Sequence, residues 1–264
     1  MALAQVALRH HRTVTIAALG LLTLLAWGWI ISGAGMDASM DAMAPAERMP
    51  GMATPDMTAG STGTAGWFAL AFSMWWVMMV AMMLPAAAPT ILLYARAAGA
   101  DASGTRPATA AFLAGYLIAW GAFSLLATAL QMVAENAGQI GHMTMTSQNR
   151  YLSSAVLIGA GLYQLSPWKE ACLKHCRSPA HFLSRHFRPG SLGALTMGLR
   201  HGAYCVGCCW LLMALLFVGG VMNLAWIAIL TLFVAAEKLL PWGRQIALLA
   251  GAGFVIWGAV VALT

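Results

Sequence analysis

Charge is what this sequence has least of. Only 8% of its 264 residues are Asp, Glu, Lys or Arg, against about 25% in a soluble globular domain. That deficit excludes water as the solvent for most of the chain, and no soluble domain of catalytic size fits beside the apolar runs. There is no nucleotide-binding fingerprint, no Ser/His/Asp arrangement suited to hydrolysis, no phosphorylation motif and no convincing internal repeat. Acidic residues are scarcest, 8 against 14 Lys and Arg, for a formal charge of +6. The basic residues flank apolar runs instead of forming a patch, which argues against nucleic acid. What the chain does have is apolar surface, 61% of its residues, and sulfur, with 18 Met and 5 Cys.

A membrane-crossing helix needs about 20 mostly apolar residues. Candidate spans are 13–31, 67–93, 108–133, 151–165, 202–221, 224–240 and 245–263, the fourth being the shortest. The first resembles a signal peptide in its basic approach, Arg9 to Arg12. Its apolar run exceeds the roughly 7–15 residues of a signal core, which predicts a retained helix. The expectation is an all-α, polytopic transmembrane helix bundle of about seven spans.

Orientation follows from Lys and Arg. With the N-terminus inside and the C-terminus outside, Arg9, Arg12, Arg96, Arg106, Lys169, Lys174, Arg177, Arg185, Arg188, Arg200, Lys238 and Arg244 lie inside. Only Arg48 and Arg150 lie outside. This is the pattern of a multi-pass membrane protein whose main partner is the lipid bilayer. The chain then divides into a cytoplasmic tail with the first helix (1–32), a flexible Met-rich outer loop (33–66) and a six-helix membrane domain (67–264). That domain carries a basic Cys/His inner loop at 166–190, where Ser166 and Pro167 form an N-cap followed by an N1 proline. A second outer loop, 135–149, is polar and holds Gly-His-Met-Thr-Met.

Sulfur is distributed in a way that packing alone explains poorly. Met36, Met40, Met43, Met49, Met52 and Met57 crowd the first outer loop, where there is no core to fill. Thioethers are soft ligands that select Cu(I); docking on a membrane or partner is the other use for such a loop. In the second helix, Met74, Met78 and Met82 recur at i, i+4, i+8, and Met79 and Met83 repeat that spacing one position on. Such residues stack on one helix face. From Trp67, Met74 lies about 10 Å and Met83 about 24 Å along the axis. Ordinary packing between helices would use the same spacing. Pro85 and Pro89 follow, and are expected to break the helix and free carbonyls that a cavity or neighbouring helix must satisfy. The Met-x-x-x-Met spacing resembles the sulfur filter of high-affinity copper uptake transporters, in that short motif.

The five cysteines cannot all pair, and the inside-N topology puts all of them in the cytoplasmic half, where thiols stay reduced. Cys172 and Cys176 align on one helical face with His175 between them, a set suited to Cu(I) or Zn(II) or to a structural role. His201, Cys205, Cys208 and Cys209 fall on an arc of roughly 100° of one helix, with Cys205 only about 5 Å beyond Gly202. An imidazole and three thiols on one face form the strongest constellation in the chain, although small residues also allow close helix packing. Glu237 lies about 20 Å into the sixth span. Intramembrane acids default to functional readings; pairing with Lys238, Arg200 or Arg244 is the structural one.

These motifs resemble a bacterial family known as predicted metal-binding integral membrane proteins, whose activity is not settled. The matching segments are Met-Trp-Trp-Val-Met-Met-Val-Ala-Met-Met-Leu-Pro from Met74, Trp-Lys-Glu-Ala-Cys-Leu-Lys-His-Cys-Arg-Ser-Pro from Trp168, and Gly-Leu-Arg-His-Gly-Ala-Tyr-Cys-Val-Gly-Cys-Cys-Trp from Gly198, with Glu237-Lys238. The resemblance covers roughly 67–263 and implies metal binding.

The function expected is binding and translocation or delivery of Cu(I), without catalysis. Ligand strength rises from thioether outside to thiol inside, and an interior-negative potential favours cation entry by about 2.3 kcal/mol per charge per 100 mV. Zinc is the second metal to consider. Expected partners are a periplasmic or cytosolic metallochaperone and a second copy of the chain. Two other classes stay open. Cys205-Val-Gly-Cys208 is a C-x-x-C suited to thiol/quinone oxidoreduction, but such enzymes need outer cysteines, absent here. A non-transporting assembly subunit for a metalloenzyme is the other.

Overall fold

A computed structural model describes residues 2–33, 64–98, 105–140 and 146–264. Met36, Met40, Met43, Met49, Met52 and Met57 lie outside the described residues, as do most of the 33–66 loop and the 141–145 segment. The helices are α1 (Ala2–Ile31), α2 (Thr64–Ala98), α3 (Thr105–Asn136), α4 (Arg150–Leu165), α5 (Pro167–Arg177), α6 (Pro179–His186), α7 (Gly190–Ala214), α8 (Leu216–Gly219), α9 (Leu224–Leu239) and α10 (Gly243–Leu263). Among the described residues there is no strand, only an isolated bridge between Ile140 and Ser147. The all-helical expectation holds.

Among the described residues, five helices are long and apolar enough to cross a bilayer: Arg12–Ile31, Ala65–Ala98, Pro107–Asn136, Gly190–Gly219 and Gly243–Leu263. Large apolar side chains such as Leu24, Leu249 and Ile256 face outward on them, an arrangement that suits lipid. The fourth and sixth expected spans form as α4 and α9, of 16 residues each. At 1.5 Å per residue each is about 24 Å long, short of the roughly 30 Å hydrocarbon core.

Two expectations are corrected. The helix carrying the cysteines starts at Gly190, not near Gly202, because one helix accommodates both Arg200 on its exposed face and His201 on its buried face. Cys205 therefore lies about 22 Å along α7 from its start, in its interior and not one turn from its end. The second correction is that Pro85 and Pro89 do not end α2, which runs 35 residues through both. Pro85 cannot donate to the carbonyl of Ala81, four residues back. Trp27 of α1 donates its indole N–H to that oxygen at 3.2 Å, so a neighbouring helix satisfies the freed group.

The site is positioned by α3, which packs on both α2 and α7, while α5 also packs on α7. Gly198 makes the α3–α7 approach possible, since any Cβ there would strike the Phe112 backbone carbonyl. At Gly207 the fit to α5 is close, the Cys172 sulfur lying 3.1 Å from where a Cβ would stand. Ser166 caps α5 as expected, accepting from the Lys169 backbone N–H at 3.2 Å with Pro167 in the first turn.

Candidate metal centre

Every fourth residue of α7 from Met197 to Met213 carries sulfur or imidazole, and all are buried: Met197, His201, Cys205, Cys209 and Met213. Cys208 lies on the same side and is 1% exposed. The spacing was visible in the sequence beyond the cysteines, yet Met197 and Met213 were not read as part of this row. The thiols of Cys208 and Cys209 both turn back to the Cys205 carbonyl, at 3.2 and 2.8 Å, which fixes their rotamers along the helix.

Three other elements reach this face. From α2, the Met83 sulfur lies 3.8 Å from Cys209 Sγ. From α3, the Tyr116 hydroxyl donates to the Met83 carbonyl at 3.1 Å and lies 3.2 Å from Cys205 Sγ, tying the two sulfur-bearing helices together. From α5, Cys176 Sγ is 4.0 Å from Cys208 Sγ. The two cysteine motifs, 29 residues or more apart in sequence, thus share one site. Met78, Met79, Met82 and Met83 are all at most 2% exposed, so both rows of the α2 ladder are interior.

The least expected neighbour is Lys238. Its ammonium donates to Cys205 Sγ at 2.9 Å and lies 3.9 Å from Cys209 Sγ, with the side chain buried. Glu237 does not pair with it, because adjacent helical residues do not face each other. Arg200 is exposed, and Arg244 is bound to Glu170. The carboxylate of Glu237 is taken by Lys169 at 2.7 Å and by the Gln164 amide at 2.7 Å. That triad joins α4, α5 and α9. Nothing local in the sequence separates the two neighbours' roles; only the fold does.

His175 is engaged beside the thiols: its Nδ1 is 2.8 Å from the Ala171 carbonyl and its ring stacks on Tyr204 with centroids 4.1 Å apart. His201 is different. It sits among the rings of Phe112, Tyr116 and Phe182, and its Nδ1 is buried with no hydrogen-bond partner among the described residues. Burial pushes the Cys172 thiol up. The Cys176 thiol is held up further, by hydrogen bonding to Cys205 and Cys208 and then by burial. These two thiols are protonated at neutral pH.

Among the described residues no three His, Cys, Asp or Glu side chains stand grouped as a ready metal site. The donors present are nonetheless of one kind: thiols from Cys205, Cys208, Cys209 and Cys176, the Met83 thioether and an unpartnered imidazole nitrogen. That set, in which sulfur outnumbers nitrogen, fits a soft, low-coordinate ion such as Cu(I). An octahedral oxygen-seeking ion finds nothing here.

Comparison with known proteins agrees with the chemistry. A family model described as PpoB2, copper chaperone, matches residues 72–261, from the start of the Met ladder almost to the end of α10. No curated protein and no solved structure shows significant similarity. The metal-binding resemblance thus resolves to a copper-related family: the chain belongs to the PpoB2 copper chaperone family.

Proposed function

We propose that the chain is a bacterial inner-membrane protein that takes up Cu(I) through its Met-lined helix and delivers it at the Cys/His cluster on α7. In this reading α4 and α9 are spans despite their length, giving seven crossings with the N-terminus inside. The support is the charge pattern: apart from Arg200 and Lys238, which lie within α7 and α9, this topology keeps ten Lys and Arg on the inner side against two outside, as orientation by the positive-inside bias requires. The outer loop with Met36 to Met57 would raise the local ion concentration, and 67–264 would form the pathway. Delivery to a partner metalloprotein suits the family's description better than release of free ion.

One observation carries the proposal: the Met83 and Cys209 sulfurs are 3.8 Å apart across two helices, both buried. A desolvated Cu(I) needs an unbroken succession of soft partners, and here the thioether row ends against the thiols. Cys205, Cys209 and Met83 would hold the ion, with His201 and Cys208 next along the face and Cys176 as the thiol nearest Cys208. The Lys238 ammonium already places one positive charge against these sulfurs. A monovalent soft ion would take over contacts it now makes, whereas a divalent ion such as zinc would add charge to a site with no free carboxylate, since Glu237 is held by Lys169.

The test is copper content by elemental analysis of the purified protein. Cys205→Ser together with Cys209→Ser should remove most bound copper while leaving helix content and thermal unfolding unchanged. Unaltered copper stoichiometry in the double variant overturns the site. Topology is read separately with reporters after Ala100 and Phe187, expected cytoplasmic, and after Gly60 and Thr264, expected external. An external signal at Phe187 overturns the seven-span arrangement.

A further inference from the structure

The thiol cluster meets α2 at Met83. A pocket with about 350 Å³ of empty space, including the part open to its surroundings, lies nearer the start of α2, between α1, α2 and α9, and Trp29, Met74, Met78 and Met222 line it. Met74 and Met78 stand about 13.5 and 7.5 Å along α2 from Met83. Met222 comes from the short turn joining α8 to α9, and had no place in the pathway read from the sequence.

That turn is built, not loose. Gly220 adopts a φ of +94°, a conformation side chains rarely allow. Asn223 accepts from the Trp226 backbone N–H at 3.1 Å as the cap of α9 and donates to the Gly219 carbonyl at 3.2 Å. The Trp226 indole donates to the Leu215 carbonyl at 2.9 Å. Met222 is therefore presented to the pocket by a fixed backbone. Met is the side chain best able to fill irregular gaps, and here three of them, from two different parts of the chain, converge on one opening.

We infer that this pocket is a second binding site, for a soft monovalent cation, formed by the thioethers of Met74, Met78 and Met222 beside the Trp29 indole. Thioethers select Cu(I) and the isoelectronic soft Ag(I), and an indole face attracts a desolvated cation. No acid, histidine or cysteine lines the pocket, so a divalent ion would find no charge to balance it, and binding releases no proton. The choice of copper as the natural ion rests on the function proposed above; the site itself is a waiting position before Met82, Met83 and the thiols.

Silver(I) is the probe, since it needs no reductant. In the full chain with all five cysteines changed to Ser and Met36, Met40, Met43, Met49, Met52 and Met57 changed to Leu, one Ag(I) should still bind. Its affinity should be flat between about pH 5.5 and 7.5, as expected for ligands with no proton to lose. Adding Met74→Leu and Met222→Leu should weaken it at least about tenfold, or about 1.4 kcal/mol. The part of the tryptophan quenching due to this site should vanish in Trp29→Phe. No bound Ag(I) in the cysteine-free chain, or binding indifferent to Met74→Leu and Met222→Leu, overturns the inference. Should the many-fold variant not fold, the same Met pair is changed in the otherwise unaltered protein: Ag(I) stoichiometry should drop by one with the thiol titre unchanged, and an unchanged stoichiometry overturns the site. Cys205→Ser with Cys209→Ser reports on the thiol cluster alone, so the two sites can fail independently.

Discussion

The two ends of the sulfur row on α2, Met74 and Met83, use the same element in opposite ways. Around Met83 the sulfur is mixed, thioether with thiol, and lies among buried charges: Lys238 against Cys205, and Lys169 against Glu237. The pocket beside Met74 and Met78 is lined by aliphatic side chains, thioether and indole, with no charged group. A thioether binds without changing its protonation, while a thiol must lose a proton to become a strong ligand. The neutral end is thus suited to receive an ion reversibly and the charged end to retain it. The difference lies in what flanks the sulfur as much as in the sulfur.

The largest effect expected concerns the charged end. Glu237→Ala leaves the Lys169 ammonium buried and unpaired, and breaking such a pair costs about 3–5 kcal/mol. Thermal unfolding in detergent should show a marked loss, largely restored when Lys169→Met is added. A loss of copper without loss of stability would instead make Glu237 a ligand.

Next comes Lys238→Met, which keeps length and apolar stem but removes the ammonium. Unit charges 4 Å apart repel by about 4 kcal/mol at an effective dielectric constant of 20, so the ion and the ammonium cannot share the cluster. Soft-ion binding should tighten by about tenfold, equivalent to 1.4 kcal/mol. Weaker binding would show that the ammonium recruits the ion through the sulfurs instead of holding their place.

A third contrast is with pH. Cys172 and Cys176 have thiol pKa values raised by their surroundings, so each is protonated at neutral pH and releases a proton on joining a metal. The affinity of any ion they hold should rise with pH, by about tenfold per unit for each proton released, and fall on acidification. At the pocket of Met74, Met78 and Met222 the curve should be flat. Competition titrations across pH, with each site isolated in turn, measure both.

The smallest effect is on stability at the ladder. Met78→Leu with Met82→Leu keeps volume and apolarity, a change packing tolerates for under about 1.5 kcal/mol each. Unfolding should shift little, while copper transfer to the α7 thiols should be lost at any copper concentration. Normal transfer would reduce the ladder to packing.

How much of this was legible in the sequence depends on range. The all-helical class, the Ser166 cap and the shared buried face of His201, Cys205, Cys208 and Cys209 follow from spacing within a few residues, and the structure has them. The start of α7 was misplaced because Arg200 and His201 interrupt the hydropathy without interrupting the backbone. Partners that meet across tens of residues had no local signature: Cys176 with Cys208, Met83 with Cys209, Lys169 with Glu237. Lys238 was the hardest. A lysine beside a glutamate invites pairing on paper, yet helical geometry turns one toward α5 and the other toward sulfur.

The indole of Trp27 has a consequence for how the molecule bends. A proline inside a long helix leaves an elbow wherever the orphaned carbonyl is not taken up, and that of Pro85 falls at Ala81, amid the row from Met78 to Met83. By accepting from Trp27, Ala81 is stiffened from outside its own helix, by a residue that precedes the family-matched segment. Any relative lacking an aromatic donor there must supply a water or another side chain, or let the column of sulfurs flex at that joint. Trp27→Phe would create such a joint in this chain, and faster amide exchange at Met82, Met83, Leu84 and Ala86 than in the rest of α2 would reveal it.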